Sequence, residues 1–175
     1  DNYIDEWTVS RTSGNGRWIQ DPRGWWYMYE SGGYPASCWK EIKNAWYYFN
    51  SDGYILTHWG KIDGRWYYFG ADGARKTGWQ FVDGRWYYLE DNGIMATQWK
   101  WINGKWYYLD ASGAMTTGWQ YIRNRWYYMD ASGAMTTGWQ YINGKWYCMD
   151  SNGVMYANTW TPDGRYVDAS GALVR

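Results

Sequence analysis

Apolar and polar positions recur along this chain in short segments at a fixed spacing. Each segment opens with a Trp, has Ile or Val three positions later, and has a second Trp seven positions later; the leading Trp falls every 20 residues, at Trp39, Trp59, Trp79, Trp99, Trp119 and Trp139. A period this short marks a unit that cannot bury its apolar face alone and must stack on its neighbours. The pattern therefore predicts a repeat protein, and we call each period a copy.

Each copy has the pattern of a β-hairpin. Asn-Gly or Asp-Gly separates two short runs of aromatic and β-branched residues in most copies, as at Asn103-Gly104. These dipeptides are typical of two-residue type I′ turns, whose central residues both need positive φ. Arg123-Asn124 and Lys43-Asn44 lack the glycine, but Asn tolerates the left-handed conformation. We predict an all-β fold, a β-solenoid of tandem stacked β-hairpins with repeats of about 20 residues.

The copies begin near residues 18, 39, 59, 79, 99, 119, 139 and 160, so the predicted array covers residues 18–175. Residues 1–17 carry no clear repeat, and we interpret them as a linker or an eroded first repeat. A gapless match between the segments that begin at Gly24 and Gly104 makes Trp26, rather than Trp25, the second Trp of the first copy. This match places one extra residue in the turn of that copy.

Two positions are apolar in every regular copy and are predicted to form the interior: Ile42, Ile62, Val82, Ile102, Ile122 and Ile142 in the first strand, and Phe49, Phe69, Leu89, Leu109, Met129 and Met149 in the second. Trp126 and Tyr128 alternate with the apolar position of the second strand, so both are predicted to lie on the face opposite to it. An isolated hairpin is only marginally stable in water, so the copies must stack. We expect the aromatic residues to gather where successive copies meet.

Composition narrows the possible partners. The chain has 18 Trp and 20 Tyr but only 3 Phe, which favours partly solvent-exposed aromatic surfaces over a thick aliphatic core. The 17 basic and 17 acidic residues balance, so no nucleic-acid or anionic-membrane partner is indicated. No apolar run is long enough to span a membrane and we recognise no signal peptide, so we predict no membrane insertion. Cys38 and Cys148 are predicted to be unpaired, and no metal or cofactor site is indicated.

Catalytic patterns are missing from the sequence. His58 is the only histidine, and no nucleophile elbow or zinc-protease motif occurs. The carboxylates fall mainly in turns, which does not support a pair of glycosidase acids. We therefore predict no catalytic residues and no enzymatic activity.

The repeat Gly118-Trp119-Gln-Tyr-Ile-Arg-Asn-Arg-Trp126-Tyr-Tyr128-Met-Asp-Ala-Ser-Gly-Ala-Met135 resembles the choline-binding, or cell-wall-binding, repeat of surface proteins and lytic enzymes from Gram-positive bacteria and their phages. The resemblance covers about residues 18–175. It implies a module that binds the choline of phosphocholine on cell-wall teichoic acids, secreted to the cell surface or cell wall. In that family each site combines both Trp of one copy, the second Tyr after the Trp of the next copy, and often a connector Met.

Carried over residue by residue, the resemblance implies the following sites: Trp79, Trp86, Tyr108 and Met95; Trp99, Trp106, Tyr128 and Met115; Trp139, Trp146, Tyr166 and Met155; and Trp39, Trp46 and Tyr68, with Ile55 in the Met position. A weaker set is Trp18, Trp26 and Tyr48, with Pro35 in that position. Two sets depart from the pattern: Trp119 and Trp126 meet Cys148 instead of Tyr, and Trp59, Trp66 and Tyr88 meet Arg75 instead of Met. We expect Cys148 to leave one wall missing, and Arg75 to repel a cation or to fill the site itself.

Physical chemistry agrees with this interpretation. A quaternary ammonium carries charge on an apolar surface without a conventional N–H donor, and aromatic faces attract it. One such site is expected to be weak, and many sites together bind a choline-bearing polymer tightly.

Other interpretations stay open at this stage. Flat rings also stack on sugars, so a carbohydrate (glucan)-binding module is the main alternative, with Gln80, Gln120, Gln140, Asp110 and Asp130 as polar partners. The aromatic residues could also be the core of a thin solenoid without a ligand. The array could be one module of a larger wall hydrolase, and a terminal hairpin could form a homodimer.

Overall fold

The computed structural model of the chain describes residues 8–11 and 16–175, and every helix or strand assigned within these residues is a β-strand. The strands are, in chain order, β1 (Thr8–Arg11), β2 (Gly16–Asp21), β3 (Gly24–Tyr29), β4 (Cys38–Ile42), β5 (Ala45–Phe49), β6 (His58–Ile62), β7 (Arg65–Phe69), β8 (Gly78–Val82), β9 (Arg85–Leu89), β10 (Gln98–Ile102), β11 (Lys105–Leu109), β12 (Gly118–Ile122), β13 (Arg125–Met129), β14 (Gly138–Ile142), β15 (Lys145–Met149), β16 (Thr159–Trp160) and β17 (Tyr166–Val167). The predicted all-β class is confirmed.

Consecutive strands form antiparallel hairpins. The sheets are β1–β2–β3 and the pairs β4–β5, β6–β7, β8–β9, β10–β11, β12–β13, β14–β15 and β16–β17. In the β12–β13 hairpin Trp119 pairs with Tyr128. The intervening turn residues Arg123 and Asn124 have φ of 48° and 64°, as a type I′ turn requires. The hairpins predicted from the turn residues are confirmed.

The chain divides into two compact units. Unit 1 contains Asp1–Gln80 and Leu89–Met95, and unit 2 contains residues 81–88 and 96–175. In unit 1, Trp39 packs on Tyr67 of the following copy, with 4.8 Å between ring centroids. In unit 2, Trp99 packs on Tyr127 of the following copy at the same distance. Successive hairpins therefore stack within each unit, which confirms the tandem stacked arrangement of the predicted fold.

The interior is formed by the two apolar positions that the sequence identified. The late position of the second strand is completely buried at Phe49, Phe69, Leu89, Leu109 and Met129. The first-strand Ile residues are also buried, and Val82 is half-buried. Each copy thus contributes one Ile or Val and one Phe, Leu or Met to a thin core, and the indoles remain at its margin.

A tight turn after each hairpin sends the chain into its connector. In the copy that begins at Trp119, the Asp130 carboxylate accepts hydrogen bonds from the backbone N–H of Ser132 (2.8 Å) and of Ala134 (3.0 Å). Gly133 has a φ of 85°, and a Cβ there would lie 2.4 Å from Sδ of Met115. Glycine is therefore required twice, for the left-handed backbone and for room beside a connector side chain.

Trp25, rather than Trp26, is the second Trp of the first copy. Gln20 pairs with Trp25, in the register in which other copies pair this first-strand position with their second Trp. The backbone N–H of Ile55 donates to the carbonyl of Trp25 at 2.9 Å, as connector N–H groups do to the second Trp elsewhere. The sequence interpretation was wrong because the turn Pro22-Arg23 has the ordinary length, and the extra residue comes after Trp25.

The N-terminal segment is described only in part. Residues 1–7 and 12–15, on which much of the prediction of a linker or eroded repeat rests, lie outside the described residues. Thr8–Arg11 adds a strand to the first hairpin, with Thr8 paired to Gln20. Elsewhere, both Cys38 and Cys148 are free thiols, as predicted. The described residues contain no helix long and apolar enough to cross a membrane.

Candidate functional site

In three hairpins the two tryptophans meet at right angles. Centroid separations and interplanar angles are 6.4 Å and 87° for Trp59–Trp66, 6.4 Å and 90° for Trp99–Trp106, and 6.2 Å and 89° for Trp119–Trp126. Perpendicular rings at this distance form two walls of a corner rather than a stacked pair. The second Trp of each pair stays about 40% exposed, so the corner opens to solvent.

The Trp99 pocket is lined by Trp99, Trp106, Tyr127 and Met135 together with Ser151 and Asn152, and it stays open to solvent. Its volume is about 340 Å³, at the small end of the range of about 300–1,000 Å³ for ligand sites. The Tyr127 ring stands 4.8 Å from Trp99 at 66° and forms a third wall. The backbone N–H of Met135 donates to the carbonyl of Trp106 at 2.8 Å, which fixes the connector against the corner.

The Trp119 pocket repeats this arrangement in the following copy. Its lining residues are Trp119, Trp126, Tyr147, Met155 and Ser170, around about 350 Å³. Tyr147 stands 4.9 Å from Trp119 at 74°, and the Met155 N–H donates to the Trp126 carbonyl at 2.9 Å. Neither pocket is lined by a charged side chain. Each therefore offers three aromatic rings and a thioether around a neutral cavity.

The third ring comes from the first Tyr of the next copy, whereas the sequence interpretation chose the second. Alternation explains the difference: Tyr67 and Phe69 share one face of β7, and both reach Trp39 of the preceding copy, at 4.8 and 5.7 Å. The second Tyr lies on the other face and packs on its own hairpin, as Tyr128 does on Trp119 at 5.1 Å. The strand face that completes the pocket is thus the same face that contributes to the core.

The connector residue also differs from the sequence interpretation. Met115, which was grouped with Trp99, donates its backbone N–H to the carbonyl of Trp86 at 2.8 Å. Met95, which was grouped with Trp79, donates to the carbonyl of Trp66 at 2.8 Å. In the structure, the connector at each of these corners therefore comes from one copy later in the chain than the sequence interpretation had assigned.

The set Trp79, Trp86, Tyr108 and Met95 is distributed over both units, with Trp79 and Met95 in unit 1 and Trp86 and Tyr108 in unit 2. Tyr108 packs on Trp99 of its own hairpin at 5.2 Å, as second tyrosines do in other copies.

Cys148 does not interrupt the Trp119 pocket. It pairs with Trp139 across the β14–β15 hairpin and is buried, and Tyr147 provides the wall. The expectation of a missing wall was wrong because it rested on the second Tyr. A signal was available in the sequence: the first Tyr recurs in every regular copy, at Tyr47, Tyr67, Tyr87, Tyr107, Tyr127 and Tyr147.

The pocket at Trp139 and Trp146 has a different lining. Asp163, Arg165 and Leu173 complete it, rather than Tyr166 and Met155. Trp139 Nε1–H donates to Asp163 Oδ2 at 3.0 Å, and Arg165 Nε lies 3.8 Å from the same oxygen. Hydrogen bonds from Thr161 and then from Trp139 lower the pKa of Asp163 below its usual value. An ion pair therefore stands here in place of the third ring.

Tyr166 takes no part in that pocket. It pairs with Trp160 across the last hairpin, and the two rings lie 5.3 Å apart. Arg165 precedes it and so occupies the position that Tyr127 has in the Trp99 pocket. The shortened last copy thus replaces a ring by a guanidinium.

A smaller cavity of about 240 Å³ lies at the first copy and is lined by Trp18, Trp25, Tyr47, Ile55 and Asp72. Burial, and then the negative charge of Asp72, raise the pKa of Tyr47. The sequence had named Trp26, Tyr48 and Pro35 beside Trp18, none of which lines the cavity. The register of β2 and β3 accounts for the change of tryptophan.

Arg75 lies at the corner of Trp39 and Trp46 rather than at Trp59 and Trp66. Its Cζ stands 5.4 Å from the Trp39 ring centroid and 5.5 Å from that of Trp46. The third sequence-predicted member, Tyr68, packs on Trp59 at 4.9 Å, and Tyr67 takes its place beside Trp39. This corner, the Trp39 pocket, thus contains a cation supplied by the chain.

Metal chemistry finds no support in the described part of the chain, where no group of three or more His, Cys, Asp or Glu could hold an ion. The functional surface that the fold assembles is aromatic.

Comparison with known proteins agrees with this geometry. The sequence profile of the choline-binding repeat matches residues 36–76, 56–98, 76–117, 96–137 and 116–160. A search of curated proteins found no match.

Several solved structures are similar. Choline binding protein F from Streptococcus pneumoniae, crystallised with a tetrasaccharide-pentapeptide peptidoglycan analogue, is 41% identical with a TM-score of 0.84, over 90% of this chain and 57% of that one. CbpJ from the same organism is 39% identical, with a TM-score of 0.84 and the same coverage. The modular autolysin LytC, also from Streptococcus pneumoniae, is 28% identical with a TM-score of 0.70, over 95% of this chain and 42% of that one. The chain thus spans 57% of the length of choline binding protein F and of CbpJ, and 42% of the length of LytC.

Proposed function

Because the chain belongs to the family of choline-binding repeats, we propose that it is a non-catalytic cell-wall-binding module that holds choline groups in the aromatic pockets between successive hairpins. The observation that carries the proposal is the Trp99 pocket, in which Trp99, Trp106 and Tyr127 enclose a neutral cavity of about 340 Å³ beside Met135. The Trp119 pocket is the second proposed site.

Three ring faces suit a trimethylammonium group better than a sugar or a metal ion. Its charge is spread over methyl groups that make no conventional hydrogen bond, so the quadrupoles of the rings supply the attraction, about 0.5–2 kcal/mol for each ring. After the cost of association, a single pocket is expected to bind with about −4 kcal/mol, near millimolar. The thioether of Met135 adds polarisable contact at the fourth side.

Weak single sites explain why the module has many copies. A polymer that carries choline at intervals engages several pockets of the array at residues 18–175, and linked sites raise apparent affinity by about 10² to 10⁴. We therefore propose the choline and phosphocholine of cell-wall teichoic acids as the partner, with the protein secreted to the cell surface or cell wall. Nucleic acid is not a proposed partner, since the 17 basic and 17 acidic residues balance.

Catalysis is not part of the proposed role. The similarity to the modular autolysin LytC, of which the chain covers 42%, supports a binding module that can be joined to a wall hydrolase. A homodimer formed through a terminal hairpin stays a prediction.

The glucan-binding alternative loses the polar partners that the sequence offered. Nε2 of Gln80, Gln120 and Gln140 donates to a threonine carbonyl of the connector, and the Asp110 and Asp130 carboxylates accept hydrogen bonds within their own turns. A sugar needs such groups free to satisfy its hydroxyls. The contacts therefore favour choline.

A fluorescence titration separates the two ligands. Choline chloride is expected to change the Trp emission with a midpoint near 1 mM, and a dextran or starch oligomer is expected to leave it unchanged. Tetramethylammonium should reproduce the choline response, since the pocket contacts the methylated cation, whereas sodium chloride at the same ionic strength should not. A response to the oligosaccharide alone would refute the assignment.

A further inference from the structure

Arg75 occupies a pocket that is otherwise built like the proposed choline sites. Trp39 and Trp46 provide the corner and Tyr67 the third ring, 4.8 Å from Trp39. The connector N–H of Arg75 donates to the carbonyl of Trp46 at 2.8 Å, just as that of Met135 donates to Trp106. Arg75 therefore takes the place that Met135 has in the Trp99 pocket.

The guanidinium lies over two ring faces at once. Its Cζ is 5.4 Å from the Trp39 centroid and 5.5 Å from the Trp46 centroid, both within the cation–π range of about 6 Å. A cation that lies over both indole rings of this corner occupies the volume that a ligand cation would need. Burial lowers the pKa of Arg75, although the anionic forms of Tyr67 and Glu41 act in the opposite direction.

Glu41 supplies a counter-charge at this copy. It pairs with Trp46 across the β4–β5 hairpin. The same position holds an aromatic residue in the neutral pockets: Trp101 pairs with Trp106, and Tyr121 pairs with Trp126. Glu41, in the copy that begins at Trp39, thus acts electrostatically on Arg75, which comes from the connector of the following copy.

The surrounding turn accommodates the arginine stem. A Cβ on Gly93 would lie 2.4 Å from Cδ of Arg75, as a Cβ on Gly153 would lie 2.4 Å from Sδ of Met135. The stem therefore follows the path of the methionine side chain, and its charged end extends over the rings. The position is a packed one and not a loose surface orientation.

We propose that Arg75 acts as an internal ligand that closes the Trp39 pocket, so that this copy is braced by the chain's own cation and takes no choline. The inference rests on the proposed function of the Trp99 pocket. Removal of the guanidinium should convert a structural copy into a binding copy. Arg75 thereby sets which pockets of the array are available to a choline-bearing polymer.

The test follows each pocket separately by NMR of the ¹⁵N-labelled Trp indoles during a choline titration. In the wild-type protein, the Trp39 and Trp46 indoles are expected to need at least about tenfold more choline than those of Trp99 and Trp106, because a tethered cation competes at high effective concentration. In Arg75→Met the two pairs should respond with similar midpoints. An unchanged Trp39 response in Arg75→Met, with Trp99 still responding, would overturn the proposal.

Two controls keep the result interpretable. Met135→Arg transfers the cation to the Trp99 pocket and is expected to abolish the response of Trp99 and Trp106 at the same concentrations. The Nε–H resonance of Arg75 in the ligand-free wild type should be shifted upfield by the ring currents of Trp39 and Trp46, and a random-coil position would contradict the internal ligand without any use of choline. If no indole responds to choline in any variant, the proposed function fails, and the Arg75 resonance still tests the closed pocket.

Discussion

Replacement of Tyr127 by Leu tests which residues build the Trp99 pocket. Tyr127 stands 4.8 Å from Trp99 and lines the cavity, whereas Tyr128 packs on Trp119 of its own hairpin at 5.1 Å. Both tyrosines are half-buried on adjacent positions of β13. Tyr128→Leu is therefore a matched control that loses a ring of the same size from the same strand.

The expected effect follows from the loss of one ring of three. A cation–π contact contributes about 0.5–2 kcal/mol, so Tyr127→Leu should raise the choline dissociation constant of the Trp99 pocket by a factor of about 2 to 30. Leu keeps the apolar contact but has no ring face for the cation. Tyr128→Leu should leave that constant unchanged, because the other face of the strand carries Tyr128 away from the cavity.

The assay is a choline titration of the Trp99 and Trp106 indole resonances in wild type and both variants, with urea unfolding to confirm that each is folded at the titration temperature. The Trp146 indole reports on another copy and should titrate alike in all three proteins. Weaker binding at Trp99 in Tyr128→Leu, together with wild-type binding in Tyr127→Leu, would refute the grouping seen in the structure and support the one implied by the sequence alone.

Three other substitutions test the supporting structure. Gly153→Ala should weaken choline binding at the Trp99 pocket and should destabilise the protein more than Gly144→Ala does. Both glycines have positive φ (81° and 84°), but only at Gly153 would a Cβ meet Met135, 2.4 Å from its Sδ. Urea unfolding measures the stability and the indole titration measures the binding. Arg123→Asn should raise the free energy of unfolding by about 1 kcal/mol, since Arg123 has a φ of 48° and Asn tolerates this region; an unchanged urea midpoint would contradict strain there. Asp130→Ala should lower the free energy of unfolding by about 1 kcal/mol near pH 7, because the hydrogen bonds of the turn are lost. Urea unfolding at several pH values should show that the difference in stability between variant and wild type shrinks below about pH 4.

The acid dependence of the last prediction follows from the sign of the pKa shift. Burial raises the pKa of Asp130, but hydrogen bonds from Ser132 and Ala134 outweigh it, so the pKa is lowered on balance. A carboxyl with a lowered pKa in the folded state stabilises the protein above its unfolded pKa, and this stabilisation is lost as the pH falls through the folded value. A constant difference between variant and wild type from pH 7 to pH 3 would contradict this role.

The repeat, the hairpins and the core positions could be predicted because each depends on local sequence. Positive φ at both turn residues is encoded by Asn-Gly or Asp-Gly, and the buried Phe49 and Met129 stand at a position that is apolar in every copy. The copy length then fixes the tandem order. Such signals need no knowledge of how one hairpin meets the next.

Pocket membership could not be predicted in the same way because it depends on the stacking between copies. Tyr127 and Tyr128 are the same residue type at adjacent positions, and only the contact with the preceding hairpin shows which of them completes a pocket. Arg75 illustrates the same point, since its charge was recognised from the sequence but its pocket was assigned one copy too late along the chain. A shift of one copy changes every connector assignment at once.

The most direct test of the central claim is a crystal structure of the protein soaked with choline. We expect density for a trimethylammonium group within the Trp99 pocket, between Trp106 and Tyr127, and its counterpart in the Trp119 pocket, with the guanidinium of Arg75 alone in the Trp39 pocket. Choline bound outside these aromatic corners, or corners that stay vacant in crystals of a protein that binds choline in solution, would contradict the account.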